Sequence, residues 1–102
     1  MSIFADILSG NLQYSIYLGK GCDFLQYDNY AVGHTIRHLR TRKGMSQDLL
    51  SGLAGIARTH LTMIENGHKQ PNLETIWKLA LALQMLPSEL IAEIESNNAA
   101  DS

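Results

Sequence analysis

The segment Gln47 to Asn66, QDLLSGLAGIARTHLTMIEN, constrains the fold most, because each of its positions meets a separate steric demand. Two short helices that cross closely need a small residue in the first, and Ser51 supplies it. A tight turn favours a residue able to take φ > 0, and Gly55 stands four positions later. Ala54 and Ile56 give the turn apolar flanks that face a core. Leu61 and Ile64, three apart, form the inward face of the second helix, and Asn66-Gly67 stops it. The pattern is a helix-turn-helix. Arg58, Thr59, His60, Thr62 and Met63 are left on the outer face of the second helix. Together they present donors, a methyl and a thioether of the kind that meets base edges in the major groove of DNA.

The rest of the C-terminal two thirds reads as further short helices. A helix from about Val32 to Lys43 places Ile36, Leu39 and the stem of Arg40 on one face, and Gly44 ends it. Ser46 caps the next helix, whose apolar stripe is Leu49, Leu50 and Leu53. The third runs from about Ala57 to Glu65. Asn72 caps a fourth, Leu73 to Leu83, in which the spacing of Trp77, Leu79, Ala80 and Leu83 predicts core packing. Pro87-Ser88 opens a fifth helix to about Ile94, and Leu90, Ile91 and Ile94 make it the first choice for a dimer surface. The tail, residues 96–102, has nothing to bury and is expected to fray. This gives an all-α domain of five helices over residues 31–95.

Residues 1–30 form an extension of different character. Met1 to Ser9 has the pattern of a short amphipathic helix. Leu12 to Leu18 and Phe24 to Tyr27 are rich in aromatic and aliphatic residues and flank Gly19-Lys20-Gly21, which reads as a hairpin turn. All four tyrosines, Tyr14, Tyr17, Tyr27 and Tyr30, lie here. An isolated hairpin is marginal in water, so the extension should pack either on its own domain or on a second subunit.

Charge separates along the chain. Residues 31–86 carry seven Lys and Arg against three Asp and Glu, +4 net, whereas the remainder carries Lys20 against seven acids, −6 net. Phosphate binding depends on local field more than on total charge, so a basic working segment lies between acidic ends. Arg37, Arg42 and Lys43 would steer DNA towards it. With 102 residues the core is small, and a second subunit would add burial. No stretch approaches the roughly 18 apolar residues of a membrane helix. No basic flank precedes Ile3 to Leu8, so neither a signal peptide nor a membrane partner is expected, and a cytoplasmic location is.

The stretch Ile36 to Leu90, IRHLRTRKGMSQDLLSGLAGIARTHLTMIENGHKQPNLETIWKLALALQMLPSEL, resembles the Cro/CI-type (Xre) helix-turn-helix family along its whole length. The shared spacing runs from Arg40 through Ser46-Gln47, Leu50, Gly55, Ile64-Glu65-Asn66-Gly67 and Pro71 to Leu79-Ala80. The resemblance implies a lambda-repressor-like DNA-binding domain, a transcriptional regulator acting as a homodimer on double-stranded DNA. Gln47 would bond a phosphate and brace the recognition helix. Arg58 and Thr59 would be the first base-reading positions, with Thr62 and Met63 one turn on. Asn66, Lys69 and the backbone near Gly67 would clamp phosphate, with Lys43 and His60 as further phosphate contacts. Arg40 and Glu65 would form an internal ion pair, whose disruption costs about 3–5 kcal/mol. Ala57 departs from the family's usual Ser or Thr cap, a loss of about 1 kcal/mol. Ser51-Gly52 replaces an Ala-Glu-like pair and weakens the preceding helix. The run Ala57 to Glu65 is similar to restriction–modification controller proteins, with phage repressors and antitoxin-type regulators as close alternatives.

Other chemistry finds little footing. His34 and His38 are four apart, but no third ligand accompanies them, so they read as a solvated face and no metal or cofactor is expected. Cys22 has neither a resolving cysteine nor a cationic partner and reads as an inert thiol. Gly19-Lys20-Gly21 lacks the full phosphate-loop pattern. No catalytic constellation stands out, and an enzyme is not expected. The main rival is a protein-interaction module, an antitoxin-type regulator that binds a partner protein through residues 1–30.

Overall fold

The computed structural model describes residues 27–100, and all regular structure among them is helical. Helix α1 spans Asn29–Arg42, α2 Gln47–Ala54, α3 Arg58–Glu65, α4 Leu73–Ala82 and α5 Pro87–Ala100. The expected hairpin and the amphipathic Met1 to Ser9 lie outside the described residues. The all-α architecture of five helices stands.

Each helix start has a local cause. The Asp28 carboxylate accepts from the Tyr30 amide, so α1 begins three residues before Val32 and takes in Tyr30. The Ser46 hydroxyl accepts from the Leu49 amide at 3.0 Å, and the Asn72 side chain accepts from the Thr75 amide at 2.8 Å. Pro87 sits at the first position of α5, where its missing N–H is no loss. There Glu89 reaches back to accept from the Leu86 amide at 2.8 Å.

Leu50, Ala54, Leu61, Ile64, Leu79, Ala80, Leu83 and Leu90 join Val32, Ile36, Leu39 and Ile76 in one core. α2 packs on α3 and α4, α1 on α3 and α5, and α4 on α5. α3, the shortest together with α2, is thus held between α1 and α2, which α5 and α4 back in turn.

Four sequence expectations are corrected. Leu49 and Leu53 are exposed, because α2 buries the face shared by Leu50, Ser51 and Ala54, and both leucines fall beside that face at 3.6 residues per turn. Trp77 is 52% exposed rather than packed inside, since α4 buries Thr75, Ile76, Leu79 and Ala80. Leu90 is fully buried in the core, so it offers nothing to a second subunit, whereas Ile91 is exposed. Finally, α5 continues past Ile94 to Ala100, and Asn97 donates to the buried Thr35 hydroxyl at 2.7 Å, so the described part of the expected tail is helical and Asn97 ties it to α1.

Candidate nucleic-acid interface

Gly55 makes the turn between α2 and α3. It adopts φ +74°, the left-handed region, and the amides of Gly55 and Ile56 bond back to the carbonyls of Gly52 and Ser51. This hydrogen-bonded reversal closes α2 and sets the crossing of α3. Leu61 and Ile64 then pin α3 by its inner face, fully buried.

A polar chain fixes the rotation of α3 about its own axis. The Glu65 carboxylate is buried and accepts from Arg40 twice, Nε at 2.7 Å and Nη2 at 3.0 Å. Arg40 Nη1 also donates to the Met45 carbonyl at 2.8 Å, which holds the turn between α1 and α2. Gln47 Nε2 donates to Glu65 Oε1 at 2.9 Å, while Gln47 Oε1 accepts from the Thr62 hydroxyl at 2.9 Å. Arg40, Glu65, Gln47 and Thr62 therefore link α1, α2 and α3 in one network. Two-pronged, charge-assisted bonding of this kind is both strong and geometrically demanding.

The outer face of α3 is what remains. Arg58, Thr59 and Met63 are exposed, and His60 and Thr62 are half-buried. Arg58 stands 3.6 Å from the Asp48 carboxylate, with both side chains largely in solvent, so this contact contributes little and leaves the guanidinium available. The Thr62 hydroxyl is already engaged with Gln47 and with the Arg58 carbonyl at 3.0 Å, which leaves its methyl for an external partner. Asn66, Lys69 and Lys43 are exposed, and Gln47 is half-buried at the start of α2. Arg37, Arg42, His34 and His38 are likewise exposed on α1. Among the described residues no group of three His, Cys, Asp or Glu side chains could hold a metal ion.

Ala57, at the N-cap of α3, makes no side-chain cap bond. Ala57→Ser should therefore raise stability by about 1 kcal/mol, read as a higher denaturation midpoint. No gain would mean that water or another group already satisfies the α3 amides.

Sequence reasoning missed two residues here. Tyr30, assigned to the extension, lies in the first turn of α1, and its ring borders Gly67 in the loop after α3. Gly33 lies where α1 crosses the C-terminal turn of α3, with no room for a Cβ against the Ile64 and Glu65 carbonyls. A glycine inside a helical pattern was the available signal.

A helix-turn-helix family model matches residues 36–90, more than half of the chain and all of the network from Arg40 to Glu65. The chain belongs to that family. It is an Xre-type transcriptional regulator with a helix-turn-helix DNA-binding domain. It is 32% identical over 60 residues to the HTH-type transcriptional regulator y4dJ of Sinorhizobium fredii, covering 59% of this chain and 78% of that protein. Its fold matches the restriction-modification controller protein C.AhdI of Aeromonas hydrophila, with a TM-score of 0.59 and 40% identity over 61% of this chain and 94% of that one. It also matches the clp gene regulator ClgR of Corynebacterium glutamicum, with a TM-score of 0.67 over 72% of this chain and 78% of that one. At 22% identity that likeness speaks for the fold alone. No helix among the described residues of this Xre-type regulator is long and apolar enough to cross a membrane.

Proposed function

We propose that this regulator binds an operator sequence-specifically as a homodimer, with α3 in the major groove. The observation that carries the reading is the division of α3 into two faces. Leu61, Ile64 and Glu65 are locked inside, while Arg58, Thr59 and Met63 project together. Arg58 suits bidentate donation to a guanine edge, and Met63 and the Thr62 methyl suit a thymine methyl. Gln47, Asn66, Lys69, Lys43 and His60 position the duplex through phosphates, which set register without reading sequence. Exposed Trp77 and Leu81, one turn apart on α4, give a second copy apolar surface to cover. Two copies would meet half-sites about one helical turn apart, roughly 34 Å.

Selection of bound fragments from a random DNA pool tests this directly, since it returns site sequence, symmetry and spacing together. On the selected site, Arg58→Ala should weaken binding by about 1–3 kcal/mol and relax preference at a single base pair. Lys69→Ala should weaken all sequences alike and reduce the slope of log affinity against log salt by about one. Unchanged affinity in both Arg58→Ala and Gln47→Ala, or a pool with no enrichment, overturns the reading.

A further inference from the structure

The turn that ends α3 spends its backbone donors on itself. The amides of Asn66, Gly67 and His68 bond back to the carbonyls of Thr62, Ile64 and Met63 at 3.0, 3.1 and 2.9 Å. With Gly67 at φ +80°, these bonds close the helix. A phosphate that meets this loop finds those three amides engaged, so side chains must supply its donors. Asn66 and Lys69 are exposed there. Tyr30 is a third. It stands in the first turn of α1, which crosses α3 where Gly33 meets the Ile64 and Glu65 carbonyls. That crossing brings its ring over Gly67, where a Cβ would lie 3.5 Å from two ring carbons and 3.6 Å from a third, ordinary contact distance. The ring rests on bare backbone, yet Tyr30 is 70% exposed. Its amide donates to Asp28, whereas its hydroxyl has no hydrogen-bond partner among the described residues.

We infer that the Tyr30 hydroxyl donates to a DNA phosphate beside those held by Asn66 and Lys69, so that α1 grips the duplex together with the helix-turn-helix. The inference rests on the placement of α3 in the major groove. A phenol O–H is an uncharged donor, and tyrosine is among the side chains that bond DNA phosphates. The Gly67 contact orients the ring before DNA arrives, so little rotamer freedom is left to lose on binding. The acids nearest in sequence do not oppose a phosphate here. Glu65 is neutralised by Arg40, and Asp28 borders an apolar groove lined by Tyr27, Leu73 and Ile91, of which Tyr30 is no part. The contact adds affinity and fixes register without reading sequence.

Binding of the full-length Tyr30→Phe protein to the selected site and to an arbitrary duplex tests this. The substitution keeps the ring on Gly67 and should leave the urea midpoint unchanged, because the lost hydroxyl has no partner in the free protein. It should weaken both duplexes by about tenfold, near the lower end for a hydrogen bond to a charged group. The slope of log affinity against log salt should keep its wild-type value, since a neutral donor releases no counterion, in contrast to Lys69→Ala. Tyr27→Phe, which alters the neighbouring phenol, should bind as wild type does. Methylphosphonates placed singly along the selected site locate the partner. At one phosphate per bound copy, wild type should lose at least about threefold more affinity than Tyr30→Phe. Tyr30→Phe binding as tightly as wild type, a loss confined to the selected site, or the same loss at every methylphosphonate each overturn the inference. Weak binding by Tyr30→Ala alone, with Tyr30→Phe intact, also overturns it and leaves the ring as a buttress of the loop. If the random pool yields no enrichment, the operator reading fails, while the comparison on the arbitrary duplex still decides this one.

Discussion

Exchanging Glu65 for alanine lowers the stability of the domain by about 3–5 kcal/mol, seen as a large fall in the urea midpoint at nearly unchanged slope. The carboxylate is nearly inaccessible and serves three donors at once, two from Arg40 and one from Gln47. Its loss leaves the Arg40 guanidinium buried with only the Met45 carbonyl as partner. An uncompensated buried charge, rather than a missing attraction, is the main penalty. The double variant Arg40→Met with Glu65→Ala should therefore recover much of the loss, because it removes the stranded charge as well. A double variant as unstable as the sum of its parts would contradict this account. The same substitution also frees Gln47 Nε2, so DNA affinity should fall even where the protein stays folded.

How far these features could be read in the sequence depends on how local their causes are. Caps at Ser46 and Asn72 and the reversal at Gly55 are set by a side chain or a φ angle within three residues, and a one-dimensional pattern exposes them. The start of α1 lies outside the apolar pattern, because the Asp28 cap and the first turn precede Val32. Leu49, Leu53 and Trp77 misled for another reason. Periodicity identifies an apolar stripe, but where two neighbouring stripes compete, only the crossing of α2 on α3 and α4 decides which is covered. Asn97 is more instructive. A polar tail has nothing apolar to bury, yet a single amide aimed at the buried Thr35 hydroxyl, 62 residues away, is invisible to any local rule. At the interface, the chemistry of Arg58 and Met63 was legible from helical spacing, whereas the engagement of the Thr62 hydroxyl by Gln47 needed coordinates.

Gly33→Ala tests the contact that local rules price with the wrong sign. Inside a helix, glycine is worse than alanine by roughly 0.5–1 kcal/mol, so propensity alone makes this substitution stabilising. The structure requires the opposite. An added Cβ would overlap the Ile64 carbonyl oxygen and come within 3.0 Å of the Glu65 carbonyl group, and both are backbone that cannot rotate away. α1 must then lift from the C-terminal turn of α3, where Ile64 anchors the core and Glu65 meets Arg40. Overpacking of this kind costs about 1–3 kcal/mol. Here strain in the ion pair adds to it, so the midpoint temperature should fall by about 10 °C or more, at roughly 4–8 °C per kcal/mol for a domain of this size. DNA affinity should fall alongside stability, because the contact that α1 loses is the one that seats the reading helix. Gly52→Ala supplies the contrast: it lies in α2 with open space around its Cβ position and should show only the propensity gain. A Gly33→Ala protein as stable as Gly52→Ala would mean that α1 and α3 do not approach as closely in solution as the structure places them.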